Sequence, residues 1–309
     1  MFSVIFPGQG SQIVGMGKEF YDKHDLVKKL FTEADEALKI PLSKIILEGP
    51  KEELDLTPNT QPAIFLISFS IFSVIKKEFK IDLNKAKYFA GHSLGEYSAL
   101  SCAGYLSFSE TIKLLRIRGN AMQNAVPKGE GGMVAVLGST VENIEKILYQ
   151  NKNDFIAQIA NDNSEGQLVL SGNNVNLEKL IKVLKSNNIK NVKLPVSAPF
   201  HCNLMNKATD IMRNEIEKTN LQVSNNTLIS NVSAGEVANN EELKRLLIDQ
   251  IEKRVRWRES VLNMIKNGVN HFIEIGPGKV LSGLIKRIDK NVKINTINKE
   301  SDIKELKIL

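Results

Sequence analysis

Gly91-His92-Ser93-Leu94-Gly95 sets a serine between two glycines, where a short apolar run, Tyr88–Ala90, gives way to a helix-like segment. The pattern is G-x-S-x-G. A strand that turns sharply into a helix holds such a serine exposed, and glycines flank it because side chains there would clash. A serine presented in this way is a candidate nucleophile. The backbone N–H of the next residue, Leu94, then points at the oxyanion formed when the serine attacks an acyl carbon. The N-terminus of the following helix favours that negative charge. The bland alternative is a glycine-rich turn without chemistry.

A nucleophilic serine needs a base, and the chain has four histidines. His24 lies in a charged helical segment and is expected to be solvated. His271 opens a strand and suits a structural role. His92 adjoins Ser93, but neighbouring side chains on such a turn diverge. His201 follows Ser197-Ala198-Pro199-Phe200 at a loop-to-helix junction, a good place for a base. The residues alone rank His201 first and do not decide. No acidic third member of a triad stands out.

The third chemical feature is Arg118. Ser107 and Glu110 form an S-x-x-E capping box that starts a helix. At about 100° per residue, Thr111, Ile112, Leu114, Leu115, Gly119 and Met122 share one face, and Arg118 falls within it. Arg118 is therefore expected to point inward and Arg116 to be solvated. A buried guanidinium needs an anionic partner. Either a carboxylate of the protein or a substrate carboxylate gripped by the arginine fork would serve, and the spacing leaves both open.

The elements that must position these residues alternate between strand-like and helix-like runs, which argues for an α/β architecture. Ser3–Phe6 reads as a first strand; Thr227–Val232 and His271–Ile275 read as later ones. The longest apolar run, Ala63–Ile75, is broken by Ser68, Ser70 and Ser73. It falls short of the roughly 20 residues a membrane helix needs and reads as a buried core helix, with Thr60 and Pro62 placed for its start. The middle of the chain has a different rhythm. Met133–Leu137, Phe155–Ala160, Leu168–Leu170 and Val192–Val196 read as strands, and Val141–Gln150 and Leu177–Ser186 as helices. That is βαββαβ, a ferredoxin-like order. The expectation is a small domain, residues 128–197, inserted into a larger α/β domain made of 1–127 and 198–309.

A chain of 309 residues with 42% hydrophobic and 25% charged residues suits such a globular protein. The start, MFSVIFPGQG, lacks a basic n-region and a long apolar stretch, so no signal peptide is expected. Cys102 and Cys202 have neither metal-like spacing nor the context of a disulfide scaffold. The cytoplasm is the expected compartment. The net charge of +6 reflects either a lysine-rich composition or attraction for an acidic partner. The basic residues are scattered without aromatic interleaving, which argues against nucleic acid.

Taken together, the motifs resemble the malonyl-CoA:acyl carrier protein transacylases of bacterial type II fatty acid synthesis. The resemblance rests on Phe6-Pro7-Gly8-Gln9-Gly10-Ser11-Gln12, Gly91-His92-Ser93-Leu94-Gly95-Glu96, and Arg118 with Gly119 and Met122. It continues through Pro199-Phe200-His201, Ser230-Asn231-Val232, Val255-Arg256-Trp257 and Glu274-Ile275-Gly276-Pro277-Gly278. It spans nearly the whole chain, in the family's order. The resemblance implies an α/β-hydrolase-like larger domain beside the ferredoxin-like one. It implies Ser93 as the acylated nucleophile and His201 as its base, the imidazole being oriented by the backbone carbonyl of Gln250. Gln9 and Leu94 match the oxyanion-hole positions. Arg118 matches the residue that pairs with the malonyl carboxylate, and Met122 and Phe200 would contact the acyl group. In related acyltransferase domains a phenylalanine before the histidine accompanies malonyl use, whereas methylmalonyl users carry a smaller residue.

The resemblance further implies no metal and no bound cofactor, since CoA and phosphopantetheine thioesters enter as substrates. The partners would be malonyl-CoA and an acidic holo-acyl carrier protein, met by a cytoplasmic monomer without nucleic acid or membrane. The chain departs from the family's pattern at Arg254 and Glu165, where proline is frequent. Two rival functions are a G-x-S-x-G thioesterase or lipase, which would use an acidic triad member and no inward arginine, and a non-catalytic interaction protein of the same fold.

Overall fold

The computed structural model describes residues 1–196 and 198–308. Among them, β1 (Phe2–Phe6), β2 (Tyr88–Gly91), β7 (His271–Ile275) and β8 (Lys293–Ile297) form one sheet, and β3 (Gly131–Leu137), β4 (Gln158–Ser164), β5 (Gln167–Asn173) and β6 (Lys190–Lys193) another. The first sheet has the order β2-β1-β7-β8, with every pairing parallel. Of its two inner strands, β1 is buried at Val4, Ile5 and Phe6 alike. A parallel strand covered on both faces requires such an unbroken apolar run. The protein is thus a mixed α/β fold with a parallel sheet and a separate antiparallel sheet.

The apolar run expected in the core becomes the helix Thr57–Lys77, buried along most of its length. Of the described helices it alone has the length and hydropathy to cross a membrane, and 89% of that stretch is buried inside the protein. It starts three residues before the expected Thr60. Pro58 occupies the first turn, where a missing N–H costs nothing. Thr60 does not cap; its hydroxyl donates to the carbonyls of Leu54 and Leu56, and Pro62 lies inside the helix.

The second sheet has the order β4-β5-β3-β6, antiparallel throughout. The helices Val141–Gln150 and Asn174–Ser186 are capped by Thr140 and Asn173 and share an apolar core with this sheet. The chain order is strand-helix-strand-strand-helix-strand. Two expected strands are displaced: β4 begins at Gln158 and not Phe155, and β6 ends at Lys193 and not Val196. Phe155 instead buries its ring in that core, and Leu194 and Val196 line a cavity. Ser197, the expected end of the inserted segment, lies outside the described residues.

The expected strand Thr227–Val232 does not form. Leu228 and Ile229 make isolated bridges to Phe89 and Glu236. The chain then folds back, the Ala234 N–H donating to the Ser230 carbonyl, which ends any ladder. The antiparallel sheet is held through β4 to the stretch after Gln250, which belongs to neither sheet. The Asp162 N–H donates to the Val255 carbonyl at 2.9 Å and the Val255 N–H to the Ala160 carbonyl at 2.8 Å.

Candidate active site

The register of the parallel sheet sets Phe6 beside Gly91, so β1 and β2 end side by side. The helix Leu94–Cys102 leaves from that edge. Its approach needs both glycines: a Cβ on Gly91 would lie 2.0 Å from the Gly95 carbonyl oxygen, and one on Gly95 2.3 Å from that of Phe6. Between them Ser93 has φ 53° and ψ −111°, a region that residues other than glycine rarely adopt. Asn231 clamps this turn. Its Oδ1 accepts from the Ser93 N–H at 2.7 Å, and its Nδ2 donates to the Gly91 carbonyl at 2.7 Å.

His201 is buried and also has a positive φ, 57°. Its Nε2 lies 2.9 Å from Ser93 Oγ, and its Nδ1 lies 2.7 Å from the backbone carbonyl of Gln250. A carbonyl only accepts, so the proton sits on Nδ1 and the Nε2 lone pair faces the serine hydroxyl. Burial, and then the Arg118 cation, push this imidazole down to about 3. It is neutral near pH 7 and able to take a proton.

Arg118 sits on the helix Phe108–Asn124, and only 1% of it is exposed. Close packing brings it there: a Cβ on Gly119 would meet the Pro58 backbone at 2.7 Å, so this helix lies tight against the start of the Thr57–Lys77 helix. Arg118 Nη1 donates to Gln61 Oε1 at 2.8 Å, and Nη2 donates to Gln250 Oε1 at 2.7 Å and approaches Ser93 Oγ at 3.3 Å. Among the described residues, no carboxylate forms an ion pair with it; the ion-paired arginines lie elsewhere. The protein-carboxylate partner left open by the spacing is therefore absent from its immediate contacts. Arg116 is half-buried rather than solvated, because its guanidinium reaches Asn59 Oδ1.

Ser93, His201 and Arg118 face a cavity of about 250 Å³ together with Gln9, Leu94, Met122 and Phe200. The antiparallel sheet supplies the opposite wall through Met133, Ala135, Asn161, Asn163 and Val169. Gln250 stands behind His201. Leu94 is the first residue of its helix, where backbone N–H groups have no intrahelical acceptor. The arrangement suits acyl transfer: a serine with a neutral base, a helix start beside it, and a cation able to hold an acyl chain's acid group.

The other histidines separate clearly. His92 turns away from Ser93 and sets Nε2 2.8 Å from Asn163 Oδ1. His24 is buried, contrary to expectation; it joins the helices Lys18–Lys23 and Asp25–Leu38, stacks on Phe20 and meets Glu78 at 2.5 Å. His271 opens β7 and lies 2.7 Å from Asn295 Oδ1. Both cysteines are free and buried. Among the described residues, no group of three or more His, Cys, Asp or Glu could hold a metal.

Residues 3–306 match the family model for the acyl transferase domain. The malonyl CoA-acyl carrier protein transacylase of Bacillus subtilis (strain 168) is 42% identical over 94% of this chain and 90% of its own. The chain belongs to the acyl transferase family, with the malonyl CoA-acyl carrier protein transacylases. It is an acyltransferase. The crystal structure of acyl-carrier-protein-S-malonyltransferase from Bartonella henselae, 43% identical, superposes with a TM-score of 0.96 over 99% of this chain and 98% of that one. A type II PKS acyl-carrier protein in complex with its malonyl-transacylase contains a chain 35% identical, with a TM-score of 0.93 over 98% of this chain and 97% of that one.

The two departures from the family's pattern are accommodated. Arg254 reaches Glu145 at 3.1 Å, while the adjacent Val255 holds β4. Glu165 occupies the exposed turn between β4 and β5. Three residues of the site went unassigned in the sequence. Asn231 lies within the quoted Ser230-Asn231-Val232 and Glu96 within Gly95-Glu96, so both were signalled without a role. Nothing local marks Gln61, which meets Arg118 only through helix packing.

Proposed function

We propose that this acyltransferase moves the malonyl group from malonyl-CoA to the phosphopantetheine thiol of holo-acyl carrier protein, supplying malonyl carrier protein for fatty acid chain elongation. One observation carries the reading: Ser93 hydrogen-bonds a neutral His201 beside a buried Arg118 that lacks any carboxylate contact, and all three face one cavity. Ser93 Oγ attacks the thioester carbonyl as His201 Nε2 takes its proton. The N–H groups of Leu94 and Gln9 face the oxyanion. Collapse expels CoA as its thiol, with the proton returned by His201, and leaves a malonyl-serine ester. The carrier protein thiol then attacks the ester in the same way and restores Ser93, a ping-pong cycle.

Arg118 pairs with the malonyl carboxylate, while Met122 and Phe200 bound the acyl chain. The Gln250 carbonyl replaces the acid of a triad by fixing the tautomer of His201. The CoA and carrier protein thioesters are substrates, and the enzyme works in the cytoplasm as a monomer without a bound cofactor. In architecture, we read residues 1–127 and 198–309 as an α/β-hydrolase-like domain and 128–197 as an inserted ferredoxin-like one. The strand-helix order and antiparallel pairing of the second sheet support this. The thioesterase reading is disfavoured because His201 Nδ1 meets a carbonyl and not a carboxylate.

The test is intact-protein mass spectrometry after brief exposure to malonyl-CoA, followed by holo-carrier protein. A malonyl adduct absent from Ser93→Ala, and discharged onto the carrier thiol, is expected. Free malonate as the main product under saturating carrier protein would overturn the reading.

A further inference from the structure

Glu96 is a buried carboxylate that the mechanism above does not use. It is 1% exposed and lies in the helix that follows Ser93. Its Oε2 accepts from Gln250 Nε2 at 2.7 Å and from the Asn231 N–H at 3.1 Å. The other oxygen, Oε1, has no partner. Burying a carboxylate costs free energy unless it is paired and hydrogen-bonded, and Glu96 is bonded through one oxygen only.

The two ends of the Gln250 side-chain amide have nearly the same shape, so hydrogen-bond partners decide which way it points. Burial pushes the Glu96 carboxyl up to about 7, and a proton there would sit on the unbonded Oε1, so Oε2 accepts in either state. The Gln250 nitrogen thus faces two acceptors, Glu96 Oε2 and the Ser93 carbonyl at 3.0 Å. Its oxygen faces a group that only donates, Arg118 Nη2 at 2.7 Å. Turned over, the amide would set N–H against guanidinium and oxygen against carboxylate. Arg118 would lose one of the two amide oxygens that hold it, the other being Gln61 Oε1.

We propose that Glu96 is a positioning residue for malonyl selection: its carboxylate oxygen fixes the Gln250 side-chain amide so that the amide oxygen holds the Arg118 guanidinium aimed at the acyl cavity. The proposal rests on Arg118 being the malonyl clamp. Glu96 acts through Gln250 and touches no substrate. What it contributes is an acceptor at the Oε2 position. Glutamine at 96 can supply the same acceptor, with its NH2 placed where Oε1 now stands unpartnered. Methionine keeps the length of the side chain and removes the acceptor.

The experiment measures acylation by malonyl-CoA and by acetyl-CoA for wild type, Glu96→Met, Glu96→Gln and Arg118→Ala, scoring kcat and KM separately. In Glu96→Met the malonyl-to-acetyl ratio of kcat/KM should fall about tenfold or more, as for loss of a hydrogen bond to a charged group, with most of the change in malonyl KM. Glu96→Gln should stay within about threefold of wild type, less than the loss of one neutral hydrogen bond. Equal losses for both substrates in Glu96→Met would make Glu96 merely structural and overturn the proposal, as would a Glu96→Gln ratio as low as that of Glu96→Met. Should Glu96→Met fail to fold, Glu96→Asp withdraws the carboxylate by one methylene; an unchanged ratio there overturns the proposal. Arg118→Ala separates the two levels. If its ratio collapses while that of Glu96→Met holds, the clamp stands and the Glu96 role fails; if its own ratio holds, the clamp itself fails.

Discussion

Replacing Arg118 by alanine removes a cation with no carboxylate in contact and two neutral amide oxygens as partners. In the free enzyme this charge is only partly compensated. When malonyl occupies Ser93, the buried guanidinium, 3.3 Å from Ser93 Oγ, acquires an anionic partner. Breaking a buried pair of this kind costs about 3–5 kcal/mol, and each 1.4 kcal/mol is about tenfold. Malonyl acylation should therefore fall by roughly 100-fold to a few thousand-fold. Acetyl has no carboxylate and should be spared or favoured. Removing the cation also removes one of the two leading causes that hold His201 low, so its protonation should move upward. The assay is competition between malonyl-CoA and acetyl-CoA, read as the two acyl-enzyme masses at short times near pH 7.5. Equal depression of both adducts would refute the reasoning. Arg118 would then serve only to hold Gln250 and Ser93.

Four further outcomes are expected. His201 is held at about 3 mainly by burial, so acetyl acylation should show no imidazole limb near 6.5 between pH 5.5 and 8; a rate decline setting in at 6.5 would contradict it. By the same linkage, this depressed group contributes stability that is present above pH 6.5 and lost as pH falls through about 3. A His201→Gln variant lacks this titration, so its urea midpoint relative to wild type should rise as pH falls across that interval. Phe200 lines the cavity, so Phe200→Ser should relax discrimination against methylmalonyl-CoA without improving acetyl-CoA; an unchanged methylmalonyl rate would make the ring purely structural. Gly95→Ala would put a Cβ 2.3 Å from the Phe6 carbonyl oxygen, and backbone on both sides cannot yield cheaply. It should cost about 3 kcal/mol, the upper part of the overpacking range, and a urea midpoint equal to wild type would show that the elbow is looser than described.

What could be read from the chain alone was what a few neighbouring residues decide among themselves. Flanking glycines announce a tight strand-to-helix turn because only they fit one, and Ser93 is found there. Helical angle places Arg118 inward because that angle depends on spacing alone. The alternation of runs in the middle of the chain reports strands and helices for the same local reason, although β4 and β6 shifted by a few residues, since strand ends are set by partners. Packing decided the rest. His201 lies 108 residues from Ser93, and no spacing rule selects it over His92. It is chosen because the end of the Asn240–Asp249 helix brings a backbone carbonyl to its Nδ1, and a carbonyl leaves no mark in the side-chain sequence. His24 looked solvated because its neighbours in sequence are charged, yet its partner Glu78 comes from 54 residues away. Thr227–Val232 has the composition of a strand but finds bridge partners only at Leu228 and Ile229 before the chain folds back at Ser230. Arg118 could be called buried from its helix face. That its partners are the amides of Gln61 and Gln250, leaving the guanidinium free to receive a carboxylate, follows only from the contact of three helices distant in sequence, because a charge's partner is determined by where the fold places it and not by the spacing around it.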